Sequence, residues 1–502
     1  MASGPAIQDA FNHSAAREHQ RQLQQGLGKP IISLEQQGER FVAVGSRLYR
    51  STRWKTFHDF LLYYIRDVLA GDWANAELAK PTAKRHPLMT WYHDVTLYLN
   101  ARIKERGKVH GTDMTGMLAA YLGLAYNLYL VAHHQKLHES LVRRLKHRDQ
   151  FYGAYYEAFV IGALLRAGFD IELEDESDST VSHCELTATF RPTGEKFSVE
   201  AKMRGANKQS VDVGNQLYNA LKKQAKHSRI VFIEVNAAGD GTLGGQKKIL
   251  HDVLASLRSR EAKLTIDGIP APAAYIIATN NPHGAVDCAH EASAMAEGFK
   301  IPDFRMEAIY GSLQEAVAAR EKHAAVTALL TSLAEHRQIP VTFDGELPEF
   351  SFGAARNRLL LGQRYTLESE QGSVTGVLES ADINVSEKRV SGIIRQDDGS
   401  RTIVQIPVSD AEIEAYQAAP QTFFGVLQPK RTLKTPLEAY DWIYESYRHN
   451  TKEHFLKLLA GAPDLESLSQ LTQPELAKIY AERVAYSIME QTGLGQTKPP
   501  GS

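Results

Sequence analysis

Residues 184–202 read Cys-Glu-Leu-Thr-Ala-Thr-Phe-Arg-Pro-Thr-Gly-Glu-Lys-Phe-Ser-Val-Glu-Ala-Lys. Two runs of alternating apolar and polar residues flank Arg-Pro-Thr-Gly at 191–194, and these four residues are typical of a turn. The segment is therefore predicted to form a β-hairpin. If the four residues form the loop, Phe190 pairs with Glu195, and the same register places Glu185 opposite Glu200.

One face of this hairpin is predicted to be a polar cluster. Side chains alternate along a strand, so Lys202 joins Glu185 and Glu200 on one face while the other face is apolar. Opposed carboxylates repel each other unless a cation lies between them, and their oxygens suit Mg²⁺ or Mn²⁺. A lysine beside such a cation can stabilise an attacked phosphate or help deprotonate a water, whose pKa the metal also lowers. These are the parts of phosphodiester hydrolysis.

The order Val-Glu200-Ala-Lys202, with an acid at the start of the preceding strand, resembles the PD-(D/E)xK nuclease superfamily of restriction endonuclease-like folds. In that superfamily a helix before the hairpin often carries another glutamate that reaches the metal. Residues 153–169 look like that helix and the entry to the first strand, with Glu157 as the counterpart. The resemblance covers about residues 149–236.

Some members also carry a polar residue, commonly glutamine, on the helix after the motif strand, and Gln216 resembles it. The resemblance thus implies a catalytic set of Glu157, Glu185, Glu200, Lys202 and Gln216. The three glutamates would hold one or two Mg²⁺ ions, with Mn²⁺ as a substitute. Lys202 would stabilise the developing charge or orient the attacking water.

The acid on the first hairpin strand departs from the family, which more usually has aspartate where this chain has Glu185. Asp175 or Asp178 could supply the acid from the preceding loop instead. The hairpin register favours Glu185.

The resemblance implies a metal-dependent endonuclease that acts on DNA rather than RNA, because the superfamily mostly acts on DNA. A role in bacterial anti-phage defence or restriction follows from the resemblance alone. A second copy of the chain or another defence protein could be a partner. Flanking domains would then grip the substrate or that partner.

Two alternatives from other classes stay open. The first is a non-catalytic nucleic-acid-binding or scaffold protein that keeps the nuclease fold, in which the polar hairpin face is solvated and carries a cross-strand ion pair. The second is a transferase or hydrolase that acts on a small phosphorylated ligand. His134 and His138, one helical turn apart, resemble half of a zinc site, but a hydrogen-bonded helix face is the simpler interpretation.

Basic residues flank the hairpin in sequence, in clusters at 143–148, 202–208 and 222–229, with Tyr152, Tyr155 and Tyr218 nearby. Charge runs of this kind are usually solvated helix faces. Cations and aromatic rings are also what single strands of nucleic acid contact. Their position beside the acidic cluster keeps both interpretations open.

Composition excludes several classes of protein. The chain has 502 residues, 43% hydrophobic and 23% charged, which predicts a folded multidomain protein. No apolar run is long enough to span a membrane, and the polar N-terminus is unlike a secretion signal. Two distant cysteines provide no disulfide framework and no zinc site, so a reducing cytoplasm is expected. The net charge of -2 neither supports nor excludes a polyanionic substrate.

The order of predicted elements suggests a central α/β domain with a mixed sheet flanked by helices. Six segments follow from the shifts in periodicity. They are a flexible leader (1–28), a mostly helical N-terminal domain (29–148), the nuclease-like domain (149–338), a small β-barrel domain (339–430), C-terminal helices (431–492) and a loose tail (493–502).

Overall fold

The computed structural model describes residues 4–105, 107–173, 184, 186–205, 211–238, 242–281, 293–305, 310, 312–347, 358–369, 372–428, 433 and 435–492. The chain forms two compact units. The first comprises residues 1–306 and 325–429, and the second comprises residues 307–324 and 430–502. The predicted α/β class is confirmed, since helices and several sheets alternate along the chain.

The first unit begins with a helix where a flexible leader is predicted. Helix α1 (Gly4–Gln25) buries the side chains of Gln20 and Gln25, and the Gln25 amide donates to the carbonyl of Phe343. The polar composition of this segment suggested a solvated leader. The hydrogen bond from Gln25 instead holds the end of the helix against Phe343.

A small sheet and five helices follow α1. The antiparallel strands are β1 (Ile32–Gln36), β2 (Glu39–Val44) and β3 (Arg47–Ser51), and the helices are α2 (Phe57–Leu69), α3 (Gly71–Leu78), α4 (Pro87–Asn100), α5 (Gly116–Val131) and α6 (Gln135–Leu145). Helix α2 begins at a capping box in which Thr56 and Asp59 exchange hydrogen bonds. Its apolar face packs against α5, which is buried along most of its length.

A six-stranded mixed sheet lies at the centre of the first unit, in the order β11-β10-β7-β6-β5-β4. Strands β6, β7 and β10 are parallel, and the remaining neighbours are antiparallel. The strands are β4 (Phe169–Leu173), β5 (Leu186–Phe190), β6 (Lys196–Met203), β7 (Ser228–Glu234), β10 (Ala274–Asn280) and β11 (Ser293–Phe299). A two-stranded hairpin, β8 (Thr265–Ile266) and β9 (Ile269–Pro270), precedes β10.

Helices cover both faces of this sheet. Helix α7 (Phe151–Arg166) packs on β4 and β6, and the Tyr156 hydroxyl on this helix meets the Thr279 hydroxyl on β10 at 2.8 Å. Helices α8 (Gly214–Leu221) and α9 (Leu243–Arg258) share a buried core with Val231 and Ile233 of β7. Because Val231 and Thr279 point to opposite faces by strand alternation, α7 covers one face and α8 and α9 cover the other.

The first unit continues with α11 (Ala324–Glu335), a four-stranded antiparallel sheet and α12 (Asp410–Ala418). The strands are β12 (Arg364–Ser369), β13 (Gly372–Asn384), β14 (Arg389–Arg395) and β15 (Arg401–Pro407). The two edge strands also approach each other, as in a half-barrel. The sequence at Thr422–Leu427 also predicts a strand, but the chain turns there instead, because Gly425 has φ +78° and both Phe423 and Phe424 point into the core.

The second unit consists of helices: α10 (Leu313–Lys322), α13 (Pro436–Tyr447), α14 (Lys452–Leu458), α15 (Leu465–Ser469) and α16 (Gln473–Thr492). Arg320 on α10 makes a two-pronged ion pair with Asp441 on α13, at 2.6 and 2.7 Å. The sequence before Gln338 predicts one long Ala-rich helix, but α10 ends at Lys322 and its Leu313 and Val317 pack among the C-terminal helices.

None of the described helices is both long and apolar enough to cross a membrane.

Candidate active site

The β5–β6 hairpin has the predicted register over the residues that the structure describes. Leu186 pairs with Val199 and Ala188 pairs with Phe197. At the turn, the amide of Phe190 donates to the carbonyl of Glu195 at 2.8 Å. The alternation of the strand therefore places Glu200 and Lys202 on the same face, as the sequence predicts.

Glu200 is the centre of a charged cluster on that face. Its side chain is 1% exposed, and its Oε1 accepts a hydrogen bond from Nζ of Lys202. Nζ of Lys223 lies 2.7 Å from the same oxygen. An uncompensated buried carboxylate would destabilise the fold by several kcal/mol, so the two ammonium groups compensate its charge. Both lysine side chains keep about a fifth of their surface exposed, which leaves the cluster open to solvent on one side.

Lys223 is a member of the site that sequence reasoning did not select. It follows the C-terminus of α8, and its amide donates to the carbonyl of Ala220 in a final turn. The next residue, Gln224, accepts a hydrogen bond from the amide of Cys184 at 3.1 Å. The segment after α8 therefore lies beside the start of the hairpin, and this brings Lys223 to Glu200. The basic run at 222–229 is the sequence feature that could have pointed to Lys223.

Gln216 lies on α8, the helix that packs on β6. Its side chain is half-buried, and its amide oxygen is buried without a hydrogen-bond partner among the described residues. Seven residues, or about two helical turns, separate Gln216 from Lys223. Gln216 lies on α8 and Lys223 lies beyond its end, and Gln216 stays a predicted site residue.

Glu157 is placed differently from the Glu200 cluster. It is 5% exposed on α7, and its Oε1 accepts from the Arg144 guanidinium on α6 at 2.7 Å. Helix α7 covers the sheet face opposite Glu200. Within the described part of the chain, no contact joins Glu157 to Glu200 or Lys202. The structure therefore brings together Glu200, Lys202 and Lys223, and leaves Glu157 as a predicted ligand.

The remaining predicted acids, Glu185, Asp175 and Asp178, lie outside the described residues. Among the described residues there is no group of three or more histidine, cysteine, aspartate or glutamate side chains that could hold a metal ion. Glu200 is the carboxylate of the described cluster. A complete oxygen ligand set requires at least one of the acids outside it.

His134 and His138 belong to no described group of three or more potential metal-binding side chains. His134 is the residue before α6, and Nε2 of His138 lies 3.1 Å from the Tyr64 hydroxyl. Burial lowers the pKa of His138. The predicted interpretation as a hydrogen-bonded helix face fits this arrangement.

A second buried carboxylate lies at the end of the neighbouring strand. Glu234, the last residue of β7, is 2% exposed. It accepts hydrogen bonds from the Thr279 hydroxyl at 2.7 Å and from the backbone amides of Asn281 and Asn236 at 2.7 and 3.0 Å. Burial raises the pKa of Glu234 to about 7 in spite of these donors. Sequence analysis did not select it, since Glu234 ends an otherwise apolar run.

The position of the Glu200 cluster in the sheet favours a ligand. Strands β6, β7 and β10 are parallel, and Glu200 and Lys202 lie towards the carboxyl end of β6. Ligands of open α/β sheets bind outside the carboxyl ends of such strands. A carboxylate beside two ammonium groups can hold a cation through the oxygen and a phosphate through the nitrogens.

Comparison of the chain with protein-family models, with curated proteins and with solved structures finds no match.

Proposed function

We propose that this chain is a metal-dependent nuclease with a restriction endonuclease-like central domain. The observation that carries the proposal is the buried Glu200 carboxylate next to Lys202 on one strand, towards the carboxyl end of a parallel segment of the sheet. The order of helix, hairpin and helix around it is the order that the superfamily resemblance implies. A solvated hairpin face would leave this glutamate exposed, whereas it is 1% exposed.

Glu200 would hold Mg²⁺ together with an acid from the first hairpin strand. Glu185 is our choice, because the pairs Leu186–Val199 and Ala188–Phe197 have the register that predicts Glu185 opposite Glu200. In the structure Oε1 of Glu157 is held by Arg144, so a metal would meet a carboxylate that is already ion-paired. The metal would supply a water of lowered pKa and neutralise phosphate charge.

The two lysines would act on the phosphate. The ammonium groups of Lys202 and Lys223, which pair with Glu200 in the structure, would contact non-bridging phosphate oxygens if Glu200 held a divalent cation. Lys202 would stabilise the charge that develops on phosphorus or orient the attacking water. Lys223 would hold the same phosphate in place.

A cleavage panel tests this function. Purified protein and its Glu200→Gln variant are incubated with supercoiled plasmid, linear duplex, single-stranded DNA and RNA, each with Mg²⁺, Mn²⁺ or EDTA. We expect DNA cleavage by the wild type with either metal, none with EDTA, and none by the variant. Cleavage that persists in EDTA would contradict a metal-dependent site.

The second candidate function is a non-catalytic nucleic-acid-binding protein that retains the fold. One observation favours it: both described candidate carboxylates are ion-paired within the protein, Glu200 to two lysines and Glu157 to Arg144. This candidate predicts binding without cleavage under every condition of the panel. Action in bacterial anti-phage defence stays a prediction from the superfamily resemblance.

A further inference from the structure

A basic surface lies where the N-terminal helices meet α7. It consists of Lys84, Arg143, Arg148 and Tyr152, which we call the basic patch. All four side chains are exposed, and Tyr152 is 48% exposed. Asp149 is the single acidic residue between positions 143 and 152. The patch is therefore strongly positive although the chain as a whole is not.

Contacts join the segments that carry Lys84, Arg148 and Tyr152, and Arg143 precedes Arg148 by five positions in the sequence. The Arg148 guanidinium donates to the carbonyl of Lys84 at 3.1 Å. Two residues after Lys84, the ring of His86 packs at 5.0 Å from the ring of Phe151, which in turn packs at 5.0 Å from the ring of Tyr152. The patch is thus a single surface built from two segments that are distant in sequence.

Among the described residues, the cations of the patch are not ion-paired. Within the part of the chain that the structure describes, no carboxylate forms an ion pair with Lys84, Arg143 or Arg148. By contrast, the neighbouring Arg144 is paired with Glu157 and Lys80 is paired with Glu77. Unpaired cations beside an exposed aromatic ring are suited to a phosphate backbone and a stacked base.

The patch is continuous with the helix that carries a predicted site residue. Tyr152 and Glu157 are five residues apart on α7, which is a rise of about 7.5 Å. Arg143 directly precedes Arg144, the partner of Glu157. At about 100° per residue, however, Glu157 is turned away from the exposed face that carries Tyr152, and its side chain is buried.

We propose that the basic patch binds a single strand of nucleic acid, with Arg148, Lys84 and Arg143 on phosphates and one base stacked on Tyr152. This rests on the proposed function in that the bound strand is the nuclease substrate. Stacking on an exposed ring requires an unpaired base, so the patch favours single strands over duplex.

The test measures binding, so that it does not depend on cleavage. Fluorescence anisotropy with a labelled single-stranded DNA in EDTA compares the wild type with Lys84→Glu/Arg148→Glu. The control is Lys104→Glu/Lys263→Glu, which makes the same charge change at two exposed lysines outside the patch. We expect affinity to fall at least about tenfold at low salt only in the patch variant. The plot of log affinity against log salt should become less steep by about 1.4, because two phosphate contacts are lost.

Substitution of the aromatic ring tests stacking separately. Tyr152→Leu should weaken single-strand binding about tenfold, while Tyr63→Leu, at another tyrosine that is 46% exposed, should not. Equal affinities for the patch and control charge variants would overturn the proposal. No effect of Tyr152→Leu, or equal losses for duplex and single strand, would reduce the patch to a general polyanion surface and overturn the single-strand assignment. Patch-dependent binding without any cleavage would support the patch and refute the nuclease.

Discussion

Glu200 and its two lysines form a compensated charge cluster inside the first unit. Under the proposed function, Lys223 would compete with a divalent cation for the Glu200 oxygen, since its ammonium lies 2.7 Å from Oε1. Partly exposed pairs of this kind contribute up to about 1 kcal/mol, or about fivefold in an equilibrium constant. The cluster is therefore expected to bind a metal more weakly than the carboxylates alone would.

Lys223→Met should tighten Mn²⁺ binding about fivefold, measured by isothermal titration calorimetry without substrate. The matched control is Lys222→Met, because this neighbouring ammonium approaches Asp267 rather than Glu200, at 3.7 Å. Identical Mn²⁺ affinities in the two variants would contradict a role of Lys223 at the cation site.

Glu234 makes the stability of the first unit depend on pH. Its pKa is about 7 when folded and 4.5 ordinarily, so the folded protein binds this proton more tightly than the unfolded chain. The stabilising contribution, about 3 kcal/mol, is fully present below pH 4.5 and is lost as the pH rises through 7.

Urea unfolding of the wild type and Glu234→Gln between pH 4.5 and 7.5 measures how much of the pH dependence of stability comes from Glu234. The difference between the two proteins isolates Glu234 from buried histidines such as His336, whose pKa burial lowers to about 4. We expect the wild type to lose stability relative to the variant as the pH rises. A difference that stays constant over this range would show that the carboxyl does not titrate there.

The residues of the site differ in how far sequence reveals them. Glu200 and Lys202 follow from strand alternation, because two residues on one strand share a face whatever surrounds them. Lys223 reaches Glu200 through the path of the chain after α8, which no local periodicity encodes. Glu157 stays a predicted metal ligand, and its Arg144 partner depends on the packing of α6 against α7, which local periodicity does not encode.

Helix α7 is positioned against α5 by a close contact. Gly162 faces the buried side chain of Asn127, and a Cβ added at Gly162 would lie 2.9 Å from the Asn127 Cγ. Real Cβ atoms do not approach so closely, so the two helices or the Asn127 side chain must shift. The contact therefore fixes the helix that carries Glu157.

Gly162→Ala should lower the free energy of unfolding by about 1–3 kcal/mol, measured by chemical denaturation. Gly153→Ala provides the control on the same helix, since a Cβ there meets nothing within 4 Å. That substitution should stabilise the protein by about 0.5–1 kcal/mol through helix propensity. Equal effects of the two substitutions would mean that α7 does not depend on the Gly162 contact.

The sequence predicts the ends of strongly periodic helices and strands to within a few residues. The predicted helix at Phe57–Leu69 has the observed bounds of α2, and five strands of the central sheet were placed within about two residues of their ends. Strand β11 was not predicted because Ser293–Phe299 contains small residues and glycine rather than an alternating β-branched run. This segment becomes a strand because it pairs with β10, a contact that its own residues do not predict.

At the scale of the whole molecule, the order of helical, α/β and β-rich segments follows from the sequence, but the grouping into units does not. Helix α10 belongs with the C-terminal helices because Leu313 and Val317 pack with them and Arg320 pairs with Asp441. These partners are more than a hundred residues away. A boundary based on local composition at Gln338 therefore differs from the observed division.

Cleavage of supercoiled plasmid in Mg²⁺ by the wild type, Lys202→Ala and Lys222→Ala tests the nuclease assignment most directly. Each protein is also assayed for DNA binding in EDTA, so that loss of chemistry is separated from loss of substrate. We predict that the wild type and Lys222→Ala cleave, while Lys202→Ala binds DNA but cleaves at least about a hundredfold more slowly. Cleavage by Lys202→Ala at the wild-type rate would contradict the assignment of the active site to the Glu200 cluster.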